Sequence, residues 1–308
     1  MISGVPQGSV LGPILFVIYI NDLPSTVKNH LKLFADDTKL YKEVCSIQDC
    51  ESLQEDISIL EEWSTSWLLK FHPQKCKVMR LGTNHPNFSY QMIDSSTNTI
   101  KLEETDTEKD LGVYIDNKLQ FETHVQKITS KANQALGLIR RTFQFLDADI
   151  FPHLYKERVR PILEYGNTIW HPFRKKHIEQ IENVQRRATK MIPKLKDLPY
   201  EERLKKLNLP SLTYRRRRGD MIETPWKYLN NIYNTDHPWL QVDTTSTRGH
   251  HLKLKKTRAN TERHNNTFSN RVVNDWNSLT EKVVTAPTLN SFKARLDKHW
   301  ADYIFKYD

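Results

Sequence analysis

The sequence predicts an α+β chain, with short antiparallel hairpins and a few helices over residues 1–120 and an all-helical part beyond. Three observations carry this. Leu31-Lys32-Leu33-Phe34 and Thr38-Lys39-Leu40-Tyr41 place apolar residues at alternate positions, the period of half-buried strands. After Phe121 the period changes: Val125, Ile128, Ala132, Ala135, Ile139 and Phe143 recur at steps of three and four, which is one face of a helix. Charge divides at the same place. Residues 1–120 hold 11 Lys and Arg against 17 Asp and Glu, residues 121–308 hold 35 against 20, and the chain as a whole carries +9. An acidic part followed by a basic part suits a protein that handles a polyanion.

Each element can be justified in turn. Residues 10–21 read as a helix with Pro13 near its start, where the missing N–H costs little; Asn21, Asp22 and Pro24 end it. Its apolar run is too short to span a bilayer and contains Gly12 and Pro13, so it reads as a buried helix. No basic start or small-residue cleavage site marks a signal peptide. The hairpin around Asp36 follows. From Ser46, placed as an N-cap, the positions Cys50, Leu53, Ile57, Leu60 and Trp67 trace one helical face. Residues 68–81 read as extended with a turn at His72 and Pro73, residues 82–86 as loop, and residues 89–116 as a second hairpin.

Further helices are marked by Leu154, Val159, Ile162 and Leu163, and by Ile178, Ile181, Val184, Ala188 and Ile192. Pro210 and Ser211 open another through 215–218, which Pro225 should kink or end, since proline inside a helix costs roughly 3 kcal/mol. Residues 234–265 read as loop or linker, and Phe292, Leu296, Trp300 and Ile304 form a final apolar stripe. Seven Trp and twelve each of Phe and Tyr suffice for packed cores. Trp170, Trp276 and Trp300 read as core. Three cysteines make neither a disulfide framework nor a zinc spacing, which points to reduced thiols in an intracellular, unsecreted protein, nuclear or cytoplasmic, with no membrane partner.

The chemistry lies in four segments. Phe34-Ala35-Asp36-Asp37 puts adjacent carboxylates at a hairpin apex, within reach of a hydrated divalent cation. Upstream stands Ser3-Gly4-Val5-Pro6-Gln7-Gly8-Ser9-Val10-Leu11-Gly12-Pro13, and downstream stand His72-Pro73-Gln74-Lys75-Cys76-Lys77 and Lys109-Asp110-Leu111-Gly112-Val113-Tyr114. In this order and spacing the set resembles the reverse transcriptases of non-LTR retrotransposons, most closely jockey-like elements. The motifs cover roughly residues 3–118. A looser resemblance runs on through Glu182-Asn183-Val184-Gln185-Arg186-Arg187-Ala188-Thr189-Lys190 and Phe268-Ser269-Asn270-Arg271.

The resemblance implies a partial reverse-transcriptase palm over 1–120, a helical thumb-like domain over 121–232, and a linker with a C-terminal helical region over 233–308. It implies RNA-directed DNA polymerase activity: two-metal Mg2+ nucleotidyl transfer with an RNA template, a DNA primer and deoxynucleoside triphosphates as partners. Asp36 then corresponds to the bridging metal ligand and Asp37 to its neighbour, whose residue-level alternative is a turn-forming acid. Pro6, Gln7 and Gly8 correspond to the bed for template and incoming nucleotide, with Phe34 packed below the acids and Ala35 beside them. Lys75 corresponds to a proton donor for departing pyrophosphate; read alone it is equally a surface lysine. Here His72 stands where the family usually has Asn, which bears on the turn that places Lys75.

Leu111 and Gly112 correspond to the primer grip. Arg186, Arg187, Lys190, Arg215 and Arg216 are the candidate contacts to the nucleic-acid backbone. The family also uses an aspartate on an earlier strand, N-terminal to Gly4. That aspartate, the fingers and any endonuclease domain do not precede Ser3 here, so the resemblance implies an N-terminally truncated enzyme. The alternative is a catalytically inactive remnant that only binds nucleic acid.

Overall fold

A computed structural model describes residues 8–94, 97–143, 145–230, 240–244, 249–301 and 306–307. It is α+β, and its contacts divide the chain into two compact units, Met1–Glu108 and Lys109–Asp308.

In the first unit, helix α1 (Leu11–Ile20) and the short α2 (Leu23–Thr26) lead into strands β1 (His30–Phe34) and β2 (Asp37–Tyr41). The strands pair antiparallel in a register that sets Leu31 against Leu40, Leu33 against Thr38 and Phe34 against Asp37. Because side chains alternate, Leu31, Leu33, Thr38 and Leu40 share one face and Lys32, Phe34, Asp37 and Lys39 the other. The leucine face joins Ile20, Leu23, Leu60 and Trp63 in a small core.

Helix α3 (Ile47–Ser66) supplies Leu60 and Trp63 to that core, and opens with a full capping box. Ser46 Oγ accepts the Asp49 N–H while the Asp49 carboxylate accepts the Ser46 N–H, satisfying two of the donors a helix start leaves open. The helix stops before Trp67, which is exposed, so Trp63 takes the core place that the sequence pattern assigned to Trp67. In the first turn of the same helix, Cys50 packs with Tyr90, Met92 and Leu102.

Regular structure from 68 to 110 is sparse. Instead of two strands around a turn there is a 3-10 turn at Pro73–Lys75 and then β3 (Lys77–Val78). The expected second hairpin resolves into several short pieces. Strands β4 (Gln91–Ile93) and β5 (Thr99–Lys101) pair antiparallel, β6 (Glu103–Glu104) pairs parallel with β3, and β7 (Thr107–Asp110) pairs with β8 (Val113–Asp116).

Helix α1 corrects the sequence expectation. Leu11, Ile14, Leu15, Val17 and Ile18 are exposed, and only Gly12 and Ile20 are buried. Apolar residues surround this helix on all sides, and a single contact surface can cover only one of them.

The second unit is helical around two cores. Helix α4 (Glu122–Thr142) buries Val125, Thr129, Ala132, Leu136 and Ile139 along one stripe. Helices α5 (Ile150–Leu154) and α6 (Arg160–Glu164) are joined by a π-helical turn at Tyr155–Val159; α7 (Asn167–Trp170), α8 (Lys175–Thr189) and α9 (Tyr200–Leu207) complete the first core.

Helix α10 (Leu212–Met221) has Ser211 as its cap and contributes to both cores, Leu212 to the first and Tyr214 and Met221 to the second. Pro225 does not end the helix. A π-helical stretch at Ile222–Trp226 accommodates it, and α11 (Lys227–Leu229) follows. Helices α12 (Glu262–Asn265), α13 (Phe268–Asn277), α14 (Glu281–Val284) and α15 (Leu289–His299) bring Val272, Trp276, Phe292 and Leu296 into the second core.

Within the expected 234–265 linker, Leu240, His250 and Leu254 are buried, and Val242 bridges Leu254, so these positions are anchored in the fold while most of 255–265 is exposed, as a linker would be. Trp170, Trp276 and Trp300 are core, as their sequence context indicated. Ile304, the last position of the C-terminal stripe, lies outside the described residues. Among the described residues no helix is long and apolar enough to cross a membrane.

Candidate active site

The β1–β2 hairpin turns through only two residues, Ala35 and Asp36. Ala35 takes a positive φ of 52° whereas Asp36 does not, an arrangement that ordinarily favours glycine at the first position. Asp36 therefore sits in the turn itself and Asp37 opens β2 on the outer face. Both carboxylates are exposed, and among the described residues neither has an ion pair or hydrogen-bond partner.

The hairpin is pinned from behind. Asp56, fully buried on α3, accepts the backbone N–H groups of Lys28 and Asn29 at 2.9 Å each and the Asn29 Nδ2 at 2.7 Å. These bonds fix the two residues that enter β1. Inward leucines and this buried carboxylate thus hold the turn, and the acids project from a braced hairpin.

On the outer face, Lys32 stands directly across from Lys39 beside Phe34 and Asp37. Phe34 is 63% exposed, which corrects the expectation of an aromatic packed beneath the acids. Strand alternation gives the reason: Leu31 and Leu33 take the inward face, so Phe34 must take the outward one.

Pro6 and Gln7 lie outside the described residues. Gly8 is exposed with a φ of 83°, a conformation that a residue with a Cβ rarely adopts. Ser9 Oγ accepts the Gly12 N–H at 3.1 Å and so steadies the entry to α1.

Lys75 ends the Pro73–Lys75 turn, its N–H bonded to the His72 carbonyl at 2.9 Å and its side chain exposed. His72 in an extended conformation still starts a closed turn there. Leu111 and Gly112 form the two-residue turn between β7 and β8 with φ of 44° and 89°. This is the both-positive pattern of a tight hairpin turn, and the Leu111 carbonyl accepts the Tyr165 hydroxyl at 2.9 Å. A Cβ on Gly112 would lie 3.1 Å from the Tyr165 ring, so glycine is required there twice over. This turn belongs to the second unit.

The basic candidates of the second unit separate into two kinds. Arg187 on α8 and Lys190 at its C-cap are exposed. Arg186 is half-buried over the Tyr200 ring, 5.1 Å from its centroid, with Nη1 bonded to Asn183 Oδ1 at 3.2 Å. Helix α10 corrects the expectation for Arg215 and Arg216. Arg215 is tied to both carboxylate oxygens of Glu164 on α6. Its neighbours follow suit, Arg217 with Asp275 on α13 and Arg218 with Asp297 on α15.

Arg216 is 1% exposed, and its Nε and Nη1 have no hydrogen-bond partner. Burial pushes its guanidinium below the usual arginine range, with the nearby Glu182, Glu164 and Asp220 acting in the opposite sense. The arginine run joins helices to one another and does not present a face to a polyanion. Its acidic partners lie 51 to 79 residues away, so no local spacing rule could have found them.

A divalent ion takes oxygen ligands, and magnesium is commonly held by one or two carboxylates together with substrate phosphates. Asp36 and Asp37 fit that role for one hydrated ion: they are adjacent, exposed and unengaged. Among the described residues no group of three His, Cys, Asp or Glu side chains gathers as a larger ligand set.

Part of the chain is similar to known proteins. Residues 2–139 match the family model described as "Reverse transcriptase (RNA-dependent DNA polymerase)". Over 219 residues the chain is 32% identical to the "Probable RNA-directed DNA polymerase from transposon BS" of Drosophila melanogaster, covering 65% of this chain and 23% of that protein. It is 27% identical over 205 residues to the corresponding protein from transposon X-element of the same organism, and 26% identical over 204 residues to the "RNA-directed DNA polymerase from mobile element jockey"; each match covers 62% of this chain and 22% of the relative.

The chain thus spans roughly a quarter of the length of the curated relatives it matches. No solved structure matches it. Asp36, Asp37, Gly8, Lys75, Leu111 and Gly112 all fall within the residues that match the family model, and over that part the chain is similar to the reverse transcriptases of mobile elements such as BS and jockey.

Proposed function

We propose that this chain carries part of the palm and the thumb-like region of an RNA-directed DNA polymerase, and that nucleotide addition takes place at the β1–β2 hairpin. The observation that carries the reading is the exposed, unengaged pair Asp36 and Asp37 on a hairpin whose other face is locked into the core. A bound Mg2+ would supply charge neutralisation for the transferring phosphoryl group and would lower the pKa of the primer hydroxyl.

The chain's own residues do the remaining work. Asp36 and Asp37 offer the carboxylate oxygens. Lys32, exposed on the outer face beside Phe34 and Asp37, offers a cation to a phosphate of the incoming nucleotide or of the nucleic acid. Lys75 offers a proton to the departing pyrophosphate. Gly8 allows the backbone to approach a base pair closely, Pro6 and Gln7 extend that bed, and Leu111 and Gly112 support the primer end. Arg187 and Lys190, with Arg186 beside them, neutralise phosphates of the bound nucleic acid.

A second reading, a remnant that binds nucleic acid without catalysis, is favoured by the gathering of only two carboxylates among the described residues. Primer extension on an RNA template with Mg2+ separates the two. The polymerase reading expects DNA synthesis that Asp36→Ala abolishes. Binding without synthesis, indifferent to Asp36→Ala, is the outcome of the second reading and overturns the first.

A further inference from the structure

The longest helix of the second unit carries a feature that the arginine run on α10 does not. Opposite its buried stripe, α4 presents Lys127, Lys131, Gln134, Leu138 and Arg141, and all five are exposed. They follow one another at steps of four, three, four and three, which keeps them in a single row, and at 1.5 Å per residue the row is about 21 Å long. Where Arg215, Arg217 and Arg218 are each bound to a carboxylate, Lys127, Lys131 and Arg141 have no ion pair among the described residues.

A helix face with three unneutralised cations in line fits a polyanion by charge alone. Its apolar members narrow the class. Leu138, in the row itself, is 59% exposed, and Phe145, four residues past Arg141, is 87% exposed. Large apolar side chains so open to water gain from contact with the face of a base, and a duplex hides its base faces within the stack, whereas a single strand offers them.

We infer that the outer face of α4 binds single-stranded nucleic acid, with Lys127, Lys131 and Arg141 on successive phosphates and Phe145 stacked on a base. The inference rests on the polymerase reading only for the kind of ligand, because no residue of the hairpin takes part. It names the strand that this surface holds: unpaired template, or a displaced or not yet copied strand.

The test is equilibrium binding by fluorescence anisotropy, with the full chain, labelled (dT)20 and a 20-base-pair DNA duplex, over a series of salt concentrations without nucleotides. The single strand is expected to bind more tightly than the duplex. Lys127→Glu, Lys131→Glu and Arg141→Glu combined are expected to weaken (dT)20 binding by tenfold or more and to flatten the dependence of log K on log salt by about two, the value for three lost phosphate contacts to a single strand. Phe145→Ala is expected to weaken (dT)20 binding by roughly fivefold to a hundredfold while leaving that slope and duplex binding unchanged.

The combined alanine variant, checked by circular dichroism, guards against a folding defect caused by the reversed charges. Unchanged affinity and slope in both triple variants would overturn the inference, as would a Phe145→Ala effect that is equal on duplex and single strand. Asp36→Ala is expected to bind normally, so a failed primer extension with intact α4-dependent binding counts against the polymerase reading alone.

Discussion

Ala35 is a residue of the candidate site at which sequence and geometry disagree. A side chain at a φ of 52° is held about 1–2 kcal/mol above the ordinary regions, yet the position is filled by alanine between Phe34 and the acids. Strain of this kind persists only where the surroundings impose it, here the leucine face and the buried Asp56. Ala35→Gly should relieve it. We expect a gain of up to about 1 kcal/mol in a urea melt of the first unit, the backbone entropy of glycine offsetting part of the relief; a loss of stability would show that Ala35 is not strained.

At this scale the sequence was most legible where the chemistry is local. Two carboxylates flanked by alternating apolar residues announce a hairpin apex, and the apex is where they stand. For Phe34 the motif correspondence and the strand alternation point opposite ways, and the fold follows the alternation, which assigns it to the outer face.

Among the elements, α3 illustrates both what local pattern reveals and what it hides. The return bond from the Ser46 N–H to Asp49 that completes its capping box is seen only in the structure, whereas its N-cap could be read from Ser46. Asp56 could not: an acid within an apolar face reads as solvated until the entry to β1 is seen to need its oxygens. Asp56→Ala removes the acceptor of three hydrogen bonds at a buried site, and we expect the first unit to lose about 2–4 kcal/mol in chemical denaturation. A change under 1 kcal/mol would mean that the hairpin is held by its leucines alone.

Helix α10 was illegible for the same reason, since four consecutive arginines look like a solvated run and their partners are remote in sequence. The buried Arg216 leads to the opposite prediction. Arg216→Met removes a desolvated cation with two unpartnered nitrogens, so thermal unfolding should be unchanged or shifted upward, whereas a fall of several degrees would imply a favourable partner for that guanidinium. The pattern of α1 specifies a helix but not its burial, because an apolar run specifies a need for cover without supplying it.

For the molecule as a whole, the buried histidines make stability depend on pH. Burial holds His124 at about 4, and burial outweighs the Asp220 carboxylate to hold His171 at about 4 as well. Both would bind a proton nearer 6.5 in the unfolded chain. Folded pKa values below the unfolded ones mean that the stabilising effect is complete above about pH 6.5 and is lost as pH falls toward 4, where the unfolded state binds more protons. Between pH 7 and pH 5 the second unit should therefore lose up to about 2 kcal/mol per histidine, measured by urea denaturation at each pH. A flat profile would show that neither ring is desolvated.

The hairpin acids bear most directly on function, and divalent-metal binding to the intact chain tests them before any catalysis is required. In an electron paramagnetic resonance titration with Mn2+, the wild-type chain should bind the ion at a site from which Mg2+ displaces it. Asp36→Asn should weaken that binding at least tenfold and Asp37→Asn should weaken it less. Equal Mn2+ affinity in all three proteins would contradict the assignment of the β1–β2 turn as the catalytic metal site.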